Sequence, residues 1–331
     1  MIDEYLPYLR AGRPTANLCR QMDLPPGTDS INVPRIKAPT KVAPQSADNA
    51  AVESKDFTDE AVQANVKTVA GQEDVAIQLI EQSPGQIIDR VIMEDLLADY
   101  NRLLDRQVLY SPGTEHSALA AGEIVGLFPK TNWGTAAPYE ANEVTFTATA
   151  GQTSAIAFNQ VLGAMASKVS YNRFDLSNLH FVLHPRRWFY FATTGDLKEG
   201  TEGRPLVNAD GQFGNFNVAA VSANPIPFEG YAGRTPFGPN VYIDGNIPTT
   251  ATTTAVTGGS EDFGLAAKFD DLWLFEGDLR TRVLPEILSG TLEIRYQVFN
   301  YVAFLVRYPQ SVCFATGTGM KAPKNTYATE F

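Results

Sequence analysis

His180 and His184 are the nearest thing in this chain to a metal-ligand pair. Four residues apart in an apolar strand-like segment, they share one face. A zinc site needs at least a third protein ligand, and no other His, Cys, Asp or Glu is placed to supply it by spacing, so both histidines are read as structural. Asp270-Asp271, Glu276 and Asp278 form an acidic cluster that could attract a cation. They lack the alternating oxygen ligands of a calcium loop and are read as a solvated strand edge. Gly317-Thr318-Gly319 has neither the lysine nor the following helix of a phosphate loop and reads as a terminal turn. There is no Gly-x-Ser-x-Gly elbow. The presence of Ser, His and Asp does not by itself make a triad, which is defined by geometry. Arg186-Arg187 beside Trp188 could stack on nucleic acid. In so acidic a chain they are read instead as an anchor, with Trp188, Phe189 and Phe191 buried and the arginines paired with acids across a boundary between subunits. No catalytic, cofactor-binding or metal-binding residue is therefore expected.

Composition narrows the classes further. The chain has 331 residues, net charge −11 and 44% hydrophobic residues. That is enough apolar material for a sizeable core and for about two domains. The charge argues against wrapping nucleic acid, because phosphate binding needs clustered Lys and Arg. It is compatible with a wall that encloses nucleic acid without adhering to it. Cys19 and Cys313 are far apart, which suits free thiols in a reducing cytosol, Cys313 buried in a strand. No segment reads as a signal peptide, and no apolar run is long enough to span a membrane.

The elements that position these residues fall in a definite order. Met1–Ile31 has no clear period, is broken by Pro25-Pro26-Gly27, and reads as an extended arm. Val33–Gln82 holds short β-like pieces at Val33–Ile36, Val66–Val69 and Val75–Ile80 around a polar centre, Pro39–Glu60. This pattern predicts a long two-stranded hairpin with a loose tip that packs on something outside its own domain. A strong helical stripe follows: Ile87, Ile88, Val91, Ile92, Leu96, Tyr100, Leu103, Leu104 and Val108 recur at three- and four-residue spacing. Ser83-Pro84-Gly85-Gln86 supplies start signals and Ser111-Pro112-Gly113 a stop, predicting a helix over Pro84–Tyr110 about 35–40 Å long. Beyond it, strands are expected at Asn142–Ala148, Leu179–Leu183, Asn217–Val221, Val241–Ile243 and Leu272–Phe275. A helix is expected over Thr153–Val169, a short one over Arg186–Ala192, and a β-rich finish over Gly290–Ala315. Helices and antiparallel strands are segregated rather than alternating, so the class is α+β.

That order of segments resembles the major capsid protein of tailed bacteriophages, the Hong Kong ninety-seven type fold. Leu183-His184-Pro185-Arg186-Arg187-Trp188, followed by Gly203-Arg204-Pro205-Leu206-Val207, is similar to an element of capsid proteins from phages and prophages of actinobacteria, and Ile294–Ala315 to their closing strands. The resemblance covers about Val33 to Ala315. It implies an N-terminal arm at 1–32, an extended loop at 33–80, a peripheral domain at 81–138 plus 293–331 with a spine helix at 84–110, and an axial domain at 139–292. It implies no enzymatic site and no cofactor. Hexamers and pentamers would close into an icosahedral shell around phage double-stranded DNA, assembled in the host bacterial cytoplasm and ending in the virion. The short segment before Val33 leaves no room for a fused scaffold, so a separate scaffolding protein is expected, with a portal protein and decoration proteins as further partners. Lys37, Lys41, Lys55 and Lys67, with Asn300 or Asn325, are the residue types of the covalent cross-link some relatives form, which types alone do not predict. The alternatives are an encapsulin-like nanocompartment, disfavoured by the phage-like motifs and polar tail, and a hydrolase with an unrecognised site.

Overall fold

The computed structural model describes residues 10–49, 51–82, 88–110, 122–128, 143–145, 154–173, 175, 177–188, 229–235, 238–249, 262–288 and 290–316. Its longest strand organises the first sheet. Glu293–Val306 pairs along one side with Lys67–Ala76, and along the other with Arg280–Leu288 and then Leu272–Glu276. In chain order the strands are β1 (Arg20–Asp23), β2 (Ser30–Ala38), β3 (Thr58–Asn65), β4 (Lys67–Ala76), β5 (Glu143–Thr145), β6 (Leu179–Leu183), β7 (Gly230–Arg234), β8 (Asn240–Ile243), β9 (Gly264–Lys268), β10 (Leu272–Glu276), β11 (Arg280–Leu288), β12 (Glu293–Val306) and β13 (Val312–Thr316). The helices are α1 (Pro14–Leu18), α2 (Ile77–Gln82), α3 (Ile88–Leu109) and α4 (Ser154–Arg173).

The first sheet runs β1-β10-β12-β11, with β4 on the opposite side of β12. β10 and β11 are one antiparallel partner of β12 interrupted at Gly277-Asp278-Leu279. Glycine is required there: a Cβ on Gly277 would sit 3.2 Å from Asn300 Oδ1 and 3.5 Å from the Tyr301 carbonyl, while its N–H donates to that carbonyl at 2.9 Å. Pro285 falls where the β11 register shifts on an edge strand, a place that tolerates the missing donor. The second sheet runs β5-β13-β9-β6-β8-β7. The class is α+β, as the segregated pattern predicts.

The Thr153–Val169 stripe does what its spacing predicts. α4 buries Val161, Leu162, Met165 and Val169 against Leu179, Phe181, Leu183, Val241, Ile243 and Cys313 of the second sheet. At about 1.5–3 kcal/mol per fully buried large side chain, those four residues give this helix most of its stability.

α3 behaves differently along its length. Its C-terminal half is buried at Tyr100, Leu104, Val108 and Leu109, while Ile88, Val91, Ile92 and Leu96 are only half-buried. The expectation of burial along the whole stripe therefore needs correction. The first half is covered in part, by Gly71 of β4, which Leu96 meets at 3.6 Å measured to an added Cβ, and by Arg10, which bonds Asp95 and Asp99. The start signals at Ser83–Gln86 and the stop at Ser111–Gly113 lie outside the described residues.

Two further expectations change. The hairpin is β2 with β3, and the segment from Lys67 is not its second strand. β4 joins β12 over ten residue pairs, and Ile77–Gln82 is helical. The physical reason is the pair Val69 and Val75, which face the core at 5% and 6% exposure. Nor is the segment before residue 32 simply extended. α1 and β1 pack on the body, with Ala16 and Cys19 in the main core and β1 pairing parallel to β10. Weak signals account for the strands missing from the expectation: β7 and β9 are Gly/Ala-rich, and β11 is exposed at nearly every position. The predicted strand Asn217–Val221 lies outside the described residues.

Candidate functional site

The chemically suggestive residues are engaged within the fold. His184 accepts the Arg186 N–H at 3.1 Å through Nδ1, and burial pushes its imidazole down to about 4, so it is neutral at physiological pH. His180 stacks on Phe269 and sits beside Tyr242, and burial lowers it too. Among the described residues no three His, Cys, Asp or Glu are grouped to hold a metal ion.

The acidic cluster is split: Asp270 and Asp278 stay exposed, as a solvated strand edge predicts, while Asp271 and Glu276 are drawn inward. Asp271 is buried and bonded to the Ser311 hydroxyl and Arg173, Glu276 takes Arg13 at 2.8 Å and the Tyr100 hydroxyl at 3.1 Å, and Asp270 accepts Asn178 at 2.6 Å. Each sits beside a donor from a distant part of the chain, which a reading of neighbouring residues does not reveal. Asn300 is likewise buried, donating to the Tyr100 hydroxyl at 2.8 Å and accepting the Tyr301 N–H at 2.7 Å. Asn325 and Gly317-Thr318-Gly319 lie outside the described residues.

Arg186 and Arg187 find a shared acid within their own chain. Both close on Asp262 of their own chain, Arg186 through Nε at 2.7 Å and Arg187 through Nε at 2.9 Å and a second nitrogen. Asp262 lies 76 residues away from Arg186, so no local pattern announces the pair. Trp188 is buried as expected, whereas Phe189 and Phe191 lie outside the described residues.

What remains exposed is surface of a particular kind. The hairpin β2/β3 rests its base on the first sheet, where Val33 and Ala64 pack with Phe275, Ala303 and Leu305. Arg35 Nη1 donates to the Arg307 carbonyl at 3.1 Å, and Arg307 returns a bond to the Pro34 carbonyl at 3.2 Å. Farther out, Ile36, Val42, Val52 and Phe57 are 52%, 95%, 78% and 53% exposed. The polar side of the hairpin is stapled by Arg35–Glu60, Lys37–Glu60 and Lys41–Glu53 pairs, and the hydrogen bonds from Arg35 and Lys37 hold the Glu60 carboxyl below its ordinary range. A second exposed apolar group, Leu79, Val283, Ile287 and Leu292, lies on α2, the edge strand β11 and the β11–β12 turn, where the Ile77 N–H donates to the Leu292 carbonyl at 2.9 Å. Leu292 holds a left-handed φ of 56° with its side chain in solvent. Apolar side chains presented on a protruding hairpin and along a sheet edge are the marks of surfaces that meet other chains.

A family model for the phage capsid family matches residues 1–316. The chain belongs to the phage capsid family. Solved structures share the fold across nearly the whole length at low identity. One of Gordonia phage Cozz is 13% identical with a TM-score of 0.66, covering 96% of this chain and 90% of that one. One of Mycobacterium phage Ogopogo is 13% identical with a TM-score of 0.65, covering 95% and 96%. The capsid of an empty GTA particle is 14% identical with a TM-score of 0.65, covering 95% and 93%. No curated protein matches the sequence. The resemblance to tailed-phage capsid proteins of actinobacterial phages, read from the order of segments, agrees with both findings.

Proposed function

We propose that this phage capsid family protein is the shell-forming subunit of a tailed phage, joining copies of itself as hexamers and pentamers into an icosahedral wall around double-stranded DNA. The observation that carries the reading is the β2/β3 hairpin, anchored at its base and presenting exposed apolar side chains farther out. Such a device gives large subunit contacts without a large apolar patch on any one face of the free chain. In this scheme α3 is the spine helix, residues 81–138 and 293–331 the peripheral domain, 139–292 the axial domain, 33–80 the extended loop and 1–32 the N-terminal arm. β4 lies within the extended-loop range but in the body's sheet, so the protruding part is the hairpin of 30–65. Net charge of −11 suits a wall that repels rather than grips its contents. The wall needs no chemistry of its own, so the chain is read as a structural protein and not an enzyme. A scaffolding protein, a portal and decoration proteins are its proposed partners, and the virion, after assembly in the host cytoplasm, its place. No described helix is long and apolar enough to cross a membrane.

The test is expression of the full chain, alone and beside its neighbouring phage genes, with light scattering and electron microscopy. Closed shells in at least one of these conditions are expected, and monomer under all of them would overturn the reading. Small shells filled with a cargo protein and unable to take up DNA would favour a nanocompartment. A single serine labelled stoichiometrically by an active-site probe would favour a hydrolase.

The hairpin gives a second measurement. Residues 39–49 and 51–57, between its strands, have no ladder bonds of their own, so their amides should exchange freely in the unassembled chain and become protected in the shell. β4, with its core-facing Val69 and Val75, should be protected in both. Equal strong protection of 39–49 and 51–57 in both states would remove the hairpin from the assembly surface.

A further inference from the structure

The segment around α1 is held to the body by a buried polar network that assembly does not explain. Asp105 on α3 and Asp244 just after β8 are both fully buried. The Ala16 N–H donates to Asp105 Oδ1 at 2.7 Å, and the Thr15 hydroxyl donates to Asp244. Asn246 ties the two acids together. Its N–H donates to Asp244 Oδ1 at 2.8 Å, and its side-chain amide donates to Asp105 Oδ2 and to the Gly12 carbonyl, both at 2.9 Å. The Gly12 N–H donates to Glu229 Oε2 at 2.6 Å. Asn246 thus bridges two fully buried carboxyls, and no cation among the described residues is a hydrogen-bond partner of either. Two ionised carboxylates so placed repel, and one proton held by the pair relieves them.

The charged surroundings offer the pair little relief. On the docked segment, Arg10 bonds Asp95 and Asp99, and Arg13 bonds Glu276. On α3, Arg102 pairs with Asp99, and Arg106 donates to the Tyr110 hydroxyl at 2.8 Å. Ahead of β7 stands a third acid, Glu229, and after α1 the Cys19 thiol, which donates to the Thr15 carbonyl at 3.5 Å. Burial, then the charge of Asp244, push the Asp105 carboxyl well above its ordinary range, against the bonds from Ala16 and Asn246. Burial raises Glu229 as well, and burial followed by the charge of Asp105 raises the Cys19 thiol.

We propose that Asp105 and Asp244 form a proton-controlled latch on the N-terminal segment: while they share one proton residues 12–16 stay docked, and loss of that proton to solvent releases them. Two negative charges in a dry site repel, and the least costly relief is to withdraw the segment and admit water. A carboxyl held above its free value favours the docked state fully below that free value, near about 4, and progressively less as pH rises to and through the docked value. Release therefore accompanies rising pH. The latch sits at the root of β1 and, through it, of the hairpin that starts at Ser30.

Cys19 is a built-in reporter, buried on the latched segment, with Cys313 buried in the second sheet as an internal reference. Alkylation of each thiol in the full chain is measured from about pH 5 to about pH 9 and divided by its rate in the urea-unfolded chain at the same pH. The Cys19 ratio should rise by about tenfold or more while the Cys313 ratio stays flat. Asp105→Asn, which keeps the shape and offers an amide donor to Asp244, should abolish the rise, and Glu94→Gln, on the exposed side of α3, should leave it in place. A flat Cys19 ratio, a parallel rise at both cysteines, or an unchanged rise in Asp105→Asn would overturn the latch. If Asp105→Asn fails to fold, the infrared carbonyl band of a buried un-ionised acid decides in its place. In the native Glu229→Gln chain that band should fade over the interval in which Cys19 opens, and its absence at the acid end would refute the shared proton. The latch lies within one chain, so the measurement is independent of whether shells form.

Discussion

Leu104→Lys should leave no folded subunit and hence no particles. Leu104 is wholly buried in the main core, among the side chains of α3, β10, β12 and β13. Removing its side chain alone, as in Leu104→Ala, costs about 2–5 kcal/mol. The lysine adds a buried charge without a partner, and Asp105 cannot serve, because adjacent helical residues do not face each other and its carboxyl is already bonded to Ala16 and Asn246. The total is comparable with the whole stability of a domain, about 5–15 kcal/mol. Thermal melts should show a lowered but cooperative transition for Leu104→Ala and none for Leu104→Lys. Arg90→Ala, on the exposed side of the same helix, should match the parent. Native-like melting and normal particles from Leu104→Lys would show that α3 does not pack as described.

The contrast between Leu104 and Asp105 also marks what a sequence of this kind reveals. Periodicity reports a side chain's preference for water or core, so α3, α4 and the apolar strands β6, β8, β10 and β12 were legible from the spacing of Leu, Ile, Val and Phe. The same signal says nothing about a polar residue whose partner lies far along the chain. Nothing in the spacing sets Asp105 apart, yet it is fully buried, and the N–H of Ala16, 89 residues earlier, bonds it there. Arg187 and Asp262, 75 residues apart, are invisible to each other in sequence for the same reason. Strands lacking large apolar residues escape too. β9 is Gly-Leu-Ala-Ala-Lys, and it is buried at every position because close packing against β6 and β13 demands small residues. The surfaces proposed to meet other copies were legible only as a plan, in the polar centre between β2 and β3 and in the order of segments. Which apolar side chains they expose depends on what the body of the fold covers.

Asp262→Ala should be the most damaging polar substitution in the second half of the chain. Asp262 and Arg187 have side chains 1% and 4% exposed, and Arg186, at 20%, closes the other side of the same carboxylate. Breaking such a pair from one side takes from both guanidiniums the buried carboxylate they share, at about 3–5 kcal/mol. Burial alone would raise the Asp262 carboxyl, but the charges of Arg187 and Arg186 outweigh it and hold the carboxyl below its ordinary range. A carboxyl so lowered contributes stability above its free value, near about 4, and loses it as pH falls through the folded value. Neighbouring His184, kept neutral and lowered to about 4 by burial, adds a loss that begins higher, as pH falls below the free histidine value. Thermal stability of the parent should therefore fall in two overlapping steps on acidification. His184→Gln should shrink the upper step to the part that His180 contributes and leave the lower one. Arg187→Met combined with Asp262→Leu should shrink the lower step, leaving what carboxyls such as Glu60 contribute, and recover much of the stability that Asp262→Ala loses, because two apolar side chains of similar volume carry no desolvation cost. If Asp262→Ala melts within a degree or two of the parent, or the double variant is no better than the single one, the buried pair does not hold the turn after β6 to the strand that precedes β10.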